Sequence, residues 1–356
     1  MSNRPHRGAT HNRTSTRFAL PERQVDGDWL DSRKDIDGPV PCVRTTVAVE
    51  HPKTILTRNA SPDLPFDRTI NAYRGCEHGC IYCFARPTHA YHDLSPGIDF
   101  ETRLFAKPNA AVLLRAEVSK PSYVCAPIAM GTNTDPYQPL ERDWRITRGC
   151  LEVLSELDHP VMITTKSDRV IRDIDLLSPM AAKRLVSVMI SITTLDRKLA
   201  MTLEPRAPAP ARRLAAIRAL AAAGINVQVS VSPLIPAITD HETETILQAA
   251  AEAGATQCSF IPVRLPHEVA PLFRAWLDEH FPDRASKVMS IIQSVRGGNR
   301  DNDPRFGERM RGSGPWYELM LTRFRLARRR YGLDGPRTEL RTDLFGPPET
   351  AQRRLF

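Results

Sequence analysis

Short apolar runs alternating with amphipathic helical stretches predict an α/β chain built on a partial (β/α)6, TIM-like barrel. An irregular N-terminal arm precedes it and a helical C-terminal extension follows. Three observations carry this expectation. First, the candidate strands Arg68–Tyr73, Tyr123–Met130, Val161–Thr165, Leu185–Ile192, Ile225–Val231 and Gln257–Val263 are β-rich and mostly apolar, as strands covered on both faces are. Second, helical stretches separate them. Asn109–Lys120, Asp143–Leu157, Ala211–Ala223 and Asp240–Ala253 carry apolar residues three and four apart. In Ala211–Ala223, the residues Leu214, Ile217, Leu220 and Ala221 make one face and Gly224 stops the helix. Third, strand alternating with helix some six times requires parallel strands joined by right-handed crossovers. Such sheets bind ligands at the carboxyl ends of their strands.

The flanks differ from this core. Residues 1–60 show no sustained apolar period and no acid before Glu22, which predicts a basic, partly disordered arm and a wrapping segment. Residues 61–266 form the predicted barrel. Beyond Pro266 the strand pattern stops, and Glu268–Phe281, Arg284–Val295 and Trp316–Tyr331 read as helices of an extension over residues 267–356.

Composition narrows the class. An apolar content of 41% and a charged content of 25% are those of a soluble globular protein. No run approaches the length of a membrane span and no apolar secretory core opens the chain, so no membrane partner is expected. Seven cysteines, three of them clustered, argue for a reducing compartment and a cytoplasmic location. The net charge of +8 sits in the flanks: residues 296–356 hold 14 arginines, no lysine and 8 acids. The run Arg323, Arg325, Arg328, Arg329 and Arg330 falls on one predicted helix. Arginine's planar fork suits phosphate, which makes nucleic acid a candidate partner for this C-terminal part; a merely solvated basic face is the alternative.

The chemistry lies in Gly75-Cys-Glu-His-Gly-Cys-Ile-Tyr-Cys-Phe84, immediately after the first strand. Cys76, Cys80 and Cys83 offer three thiolates from one loop and no fourth. A closed zinc site wants four ligands, and a fully ligated iron–sulfur cluster usually wants four cysteines. Three thiolates on a four-iron cluster leave one iron open to a small molecule. For zinc, His78, His89 or His92 would have to supply the fourth ligand, making a nucleic-acid-binding module without catalysis. Polar clusters follow the later strands: Gly131-Thr-Asn-Thr-Asp-Pro-Tyr-Gln-Pro-Leu-Glu141, Thr164-Thr-Lys-Ser167, Ser191 with Thr193, and Ser232-Pro-Leu-Ile-Pro236. Gathered at one end of the sheet, they describe a lined pocket.

The C-x3-C-x2-C spacing, with Tyr82 before the last cysteine, resembles the cluster motif of the radical SAM superfamily. With the strand-end clusters and Leu203-Glu-Pro-Arg206, the chain is similar over roughly residues 55–265 to the spore photoproduct lyase-like group, also called DNA repair photolyases. The resemblance implies the same partial barrel, a [4Fe–4S] cluster on Cys76, Cys80 and Cys83, and S-adenosyl-L-methionine chelated at the open iron. It implies reductive cleavage of that cosubstrate to methionine and a 5'-deoxyadenosyl radical, with an external one-electron reductant of the flavodoxin or ferredoxin type. By position, Tyr82 would lie beside the adenine, and Thr134 and Asp135 would stand where most members bind the methionine amino group. Lys166 would meet the carboxylate and Ser191 the ribose. Glu204 and Arg206 would make either a lid-side contact or a structural salt bridge. One departure stands out. The lyase itself has a hydrogen-donating cysteine after the second strand, where this chain has Gly131 and Thr132. Cys42, Cys125, Cys150 and Cys258 read as core, and modification of a protein or small metabolite stays open beside a nucleic-acid substrate.

Overall fold

The computed structural model describes residues 7–15, 17, 18, 44–336 and 338–346; most of the expected N-terminal arm, Cys42 with it, lies outside the described residues. Strands β1 (Thr46–Val49), β2 (Leu56–Arg58), β3 (Arg68–Ile70), β4 (Tyr73–Arg74), β5 (Arg103–Ala106), β6 (Ile128–Met130), β7 (Val161–Thr165), β8 (Val186–Ser191), β9 (Val227–Leu234) and β10 (Gln257–Pro262) make two sheets. The larger runs β10-β9-β8-β7-β6-β3-β2, with every pair from β3 to β10 parallel and β2 antiparallel to β3. Its two edges, β10 and β2, do not pair, so the barrel is partial, with six parallel strands as the alternation predicts. A second sheet, ordered β1-β5-β4, braces the loop that follows β4.

Helices cross between the strands: α1 (Asp99–Thr102), α2 (Ala110–Val118), α3 (Glu141–Trp144), α4 (Ile146–Glu156), α5 (Ile174–Ala182), α6 (Arg197–Leu203), α7 (Pro210–Ala222) and α8 (Thr243–Glu252). The sheet's apolar strands pack beneath them; Val188, Ile190, Val227, Val229 and Val231 are wholly buried, as are Ile217 and Leu220 of α7. Several expectations needed trimming. The expected strand Arg68–Tyr73 divides, with Arg68–Ile70 in the larger sheet and Tyr73–Arg74 in the smaller. Pairing in the second expected strand begins only at Ile128, because Pro127 has no amide to give the ladder. The helix expected over Asp143–Leu157 is broken at Arg145, whose left-handed φ of 50° separates α3 from α4.

The extension contributes α9 (Val269–His280), α10 (Pro282–Val295) and α11 (Pro315–Arg330). Its first two helices build a second apolar core directly against the cysteine loop, where Phe273, Trp276, Val288 and Ile292 meet Ile81, Tyr82, Leu203 and Ile235. Trp276 is fully buried, stacks on Phe273 at 5.6 Å and donates its indole N–H to the Thr202 carbonyl at 3.1 Å. Each such buried aromatic stabilises the contact by roughly 1.5–3 kcal/mol. The extension therefore closes one side of the strand-end pocket. No helix among the described residues is long and apolar enough to cross a membrane.

Candidate active site

The cysteine loop turns on Gly75 and Gly79, with φ of +72° and +67°, a backbone region that costs glycine little. Its back is held by one buried cation. Arg86 donates to the carbonyls of Cys80 (2.9 Å), Gly79 (3.1 Å), Pro96 (3.1 Å) and Gly97 (2.9 Å), and pairs with Glu101 at 2.5 Å. Glu101 also accepts the amides of Gly8 (2.9 Å) and Ala9 (2.8 Å). Gly8 approaches so closely that a Cβ there would lie 1.7 Å from the Gly79 carbonyl oxygen. The described part of the N-terminal segment is thus seated behind the loop. In front, the Thr134 hydroxyl donates to the Gly75 carbonyl at 2.7 Å, and Gln138 accepts the Glu77 amide at 2.9 Å.

Cys76 and Cys80 are buried and Cys83 half-buried. Burial pushes the Cys80 thiol up to about 12 and Cys76 well above its ordinary value, so both are neutral until a metal takes the sulfur. Loading the site must then release protons. Among the described residues, no three His, Cys, Asp or Glu side chains converge tightly enough to hold a single metal ion. Each candidate zinc histidine has a contact of its own, while His78 Nε2 and His89 Nδ1 are left without a partner. His78 Nδ1 lies 3.3 Å from Asp135, His89 Nε2 donates to the Arg103 carbonyl at 2.8 Å, and His92 packs on the Phe105 ring at 4.9 Å. Burial also pushes His89 down to about 4.

The other predicted residues meet at the same strand ends. Gly131 has φ of +94°, and a Cβ there would fall 1.9 Å from the Thr164 carbonyl, so only glycine lets the ends of β6 and β7 approach this closely. No cysteine could stand there. Asp135 follows, accepting from the Thr165 hydroxyl at 2.6 Å and the Lys166 amide at 2.8 Å. Burial works to raise its carboxyl; His78's charge and hydrogen bond, with these donors, outweigh that and hold it at about 2. Lys166 extends its ammonium over the Tyr82 ring, 5.6 Å from the centroid, with no oxygen partner. Burial opposes its charge, but Cys80 and Glu204 leave its pKa raised. Ser191 ends β8, buried, its carbonyl accepting from Arg213 at 3.1 Å.

Sequence reasoning missed Arg213. The guanidinium pairs with Glu204, each side chain 1% exposed, and the same carboxylate accepts the Tyr82 hydroxyl and, at 2.7 Å, the Thr193 hydroxyl. Burial alone would raise Glu204; Arg213 and Lys166 hold it at about 2. This is a buried positive–negative centre beneath Tyr82. The available signal was a cation in the first turn of α7, the helix end that disfavours positive charge. Arg206 instead makes a salt bridge with Glu77 at 2.9 Å. Of the other described cysteines, Cys125 precedes β6, Cys258 lies near the start of β10 and Cys150 is buried in α4, all away from the strand ends.

A model of the Radical SAM superfamily matches residues 70–250. The chain belongs to the radical SAM superfamily. An uncharacterized protein of Mycobacterium tuberculosis is 39% identical to this radical SAM enzyme over 232 residues, 65% of this chain and 68% of the other. An uncharacterized protein of Methanocaldococcus jannaschii is 30% identical over 173 residues, 49% of this chain and 62% of the other. Among solved structures, a spore photoproduct lyase complexed with dinucleoside spore photoproduct superposes with a TM-score of 0.56 at 15% identity, covering 80% of this chain and 79% of that one. A double mutant of spore photoproduct lyase with bound AdoMet and dinucleoside spore photoproduct gives 0.53 at 14% identity, covering 80% and 78%. At these identities the likeness is one of fold.

Superfamily membership implies an iron–sulfur cluster and S-adenosylmethionine. The residues present fit them. Three thiols share one loop, and His78 of the same loop has its Nε2 buried without a partner. A lysine without an oxygen partner faces the same space.

Proposed function

We propose that this radical SAM enzyme holds a [4Fe–4S] cluster on Cys76, Cys80 and Cys83 and binds S-adenosylmethionine among Tyr82, Asp135, Lys166 and Ser191. The reading includes hydrogen abstraction from a nucleic-acid substrate. One observation carries it: three thiols, a lysine without an oxygen partner and an ionised aspartate share one end of a partial barrel. When bound, the cluster and cosubstrate supply one-electron cleavage to methionine and a 5'-deoxyadenosyl radical that abstracts hydrogen.

The protein's own part is orientation and shielding. Lys166 offers a cation to the methionine carboxylate, and Tyr82, fixed by Glu204 and Thr193, offers its ring to the adenine. Thr134 acts on the loop rather than the ligand, since its hydroxyl is already given to Gly75. Phe273 and Trp276 keep water from the loop's apolar side. Beyond Cys76, Cys80 and Cys83, no cysteine stands at the strand ends among the described residues, so hydrogen return to a product would come from another donor. A reductant of the flavodoxin or ferredoxin type would feed the cluster. Arg325, Arg329 and Arg330 on α11 have no carboxylate partner, whereas Arg323 pairs with Glu244, which leaves a basic face for nucleic acid.

Anaerobic reconstitution followed by dithionite reduction tests the reading. Iron and sulfide at four each per chain, and 5'-deoxyadenosine formation lost in Cys80→Ala, are expected. One zinc and no iron would overturn it. Affinity for single-stranded and duplex nucleic acid across a salt series tests the substrate class, and a flat response counts against it.

A further inference from the structure

Arg264 stands two residues beyond β10, at the strand ends that carry the cysteine loop. Its guanidinium lies 5.7 Å from the ring centroid of Phe84, the residue after Cys83, and half of Phe84 (50%) is exposed. Unlike Arg86 and Arg213, this cation has no hydrogen-bonded carboxylate. Nε is buried without a partner, and Nη1 reaches only the Met310 sulfur at 3.4 Å, a weak acceptor. Burial and the neighbouring Arg309 push its pKa down, as expected of a cation short of counter-charge.

The surroundings are built rather than accidental. Arg296, almost wholly buried, donates to the carbonyls of Pro262 and Val263 at 2.9 Å and of Arg309 (3.3 Å) and Arg311 (2.5 Å). It fixes the segment after α10 against the end of β10. That segment walls a cleft of about 410 Å3 lined by Pro62, Asp63, Phe306, Gly307, Met310 and Arg311. The one carboxylate there, Asp63, is already taken by Arg309 at 2.7 Å and the Gly307 amide at 2.6 Å. Phe306 and Arg311 are exposed on the wall.

We propose that Arg264 anchors a phosphate group of the substrate and that Phe84 is the platform for the flat ring attached to it, so that a nucleotide unit enters over the 301–311 wall beside Cys83. A half-buried planar fork with no oxygen partner matches two phosphate oxygens, and a half-exposed ring next to it offers a stacking face. The inference rests on the reading above only in taking the strand ends as the reaction chamber.

Binding can be measured without turnover. The probe is a fluorescein-labelled single strand of roughly ten nucleotides, added to reconstituted full-length protein, with adenosine 5'-monophosphate as competitor. Arg264→Gln should weaken binding about tenfold and flatten the salt slope by about 0.7. Arg264→Lys should keep the slope while losing affinity, because an ammonium cannot grip bidentately. Phe84→Leu, at a half-exposed position that tolerates change, should weaken binding at least about fivefold. Arg218→Gln, on the exposed side of α7, should bind as the unaltered protein does, whereas Arg329→Gln reports the basic face of α11 separately. Displacement by the mononucleotide assigns the site to a single nucleotide, and its failure to displace assigns it to a strand; either supports the anchor. Wild-type affinity and slope in both Arg264→Gln and Phe84→Leu overturn it, as does a loss confined to Arg329→Gln. Absent cosubstrate cleavage with binding intact would overturn the cofactor reading instead.

Discussion

Replacing Glu204 by glutamine tests the buried charge centre beneath Tyr82. Glutamine keeps an oxygen for the Thr193 and Tyr82 hydroxyls, so the main loss is the negative charge facing Arg213. Arg213 cannot escape to water: its side chain is 1% exposed and is held by the carbonyls of Pro208 at 2.8 Å and Ser191 at 3.1 Å. Stranding a buried cation costs about 3–5 kcal/mol. Removing both charges, as in Glu204→Gln with Arg213→Met, should cost only the lost hydrogen bonds, about 1–3 kcal/mol. Urea unfolding of the two single variants and the double closes a thermodynamic cycle, with a coupling of several kcal/mol expected. A Glu204→Gln variant within about 1 kcal/mol of the parent, or a double equal to the sum of the singles, would refute the argument.

Other consequences are open to measurement. Lys166→Gln should raise the dissociation constant for S-adenosylmethionine by roughly ten- to a hundredfold, the worth of a charged hydrogen bond, read by calorimetry on reconstituted protein; unchanged affinity would remove the lysine from the site. Gly131→Ala forces a Cβ to within 1.9 Å of the Thr164 carbonyl at a left-handed φ, so a clear drop in thermal midpoint is expected, and a fully stable variant would contradict the geometry. His159 is wholly buried between the Tyr123 hydroxyl (2.8 Å) and the Pro160 carbonyl (3.0 Å), and burial pushes it from 6.5 down to about 4. Because its folded pKa is the lower one, the unfolded chain takes the proton first. Stability complete above about pH 6.5 then falls toward pH 4, by about 2 kcal/mol at pH 5. His159→Phe should remove that share of the pH slope in urea unfolding, and an identical slope in the variant would sink the assignment.

Much of the architecture was legible because its causes are local. Apolar runs of strand length, amphipathic stretches between them and a three-cysteine loop after the first strand each follow from neighbours in the chain, and β7, expected over Val161–Thr165, matches residue for residue. The failures are also physical. Strands β1, β2 and β5 have three or four residues each and hold their shape through partners elsewhere in the chain, so no local pattern announces them. Pro127 and Arg145 show the reverse case, where one residue's backbone trimmed an element that periodicity would have continued.

By itself, the sequence determined that three thiols share one loop and that this loop follows the first parallel strand at its carboxyl end, since both depend on spacing along the chain. Only the tertiary structure decided how charge is disposed there. Whether a buried ion is held by a partner or left seeking one depends on residues far apart in sequence. Glu204 is neutralised by Arg213, Arg86 by Glu101 and Asp63 by Arg309, while Lys166 and Arg264 face the strand-end space with no carboxylate hydrogen-bonded to them. The cost of a buried charge is set by the groups packed around it, and folding alone brings those groups together.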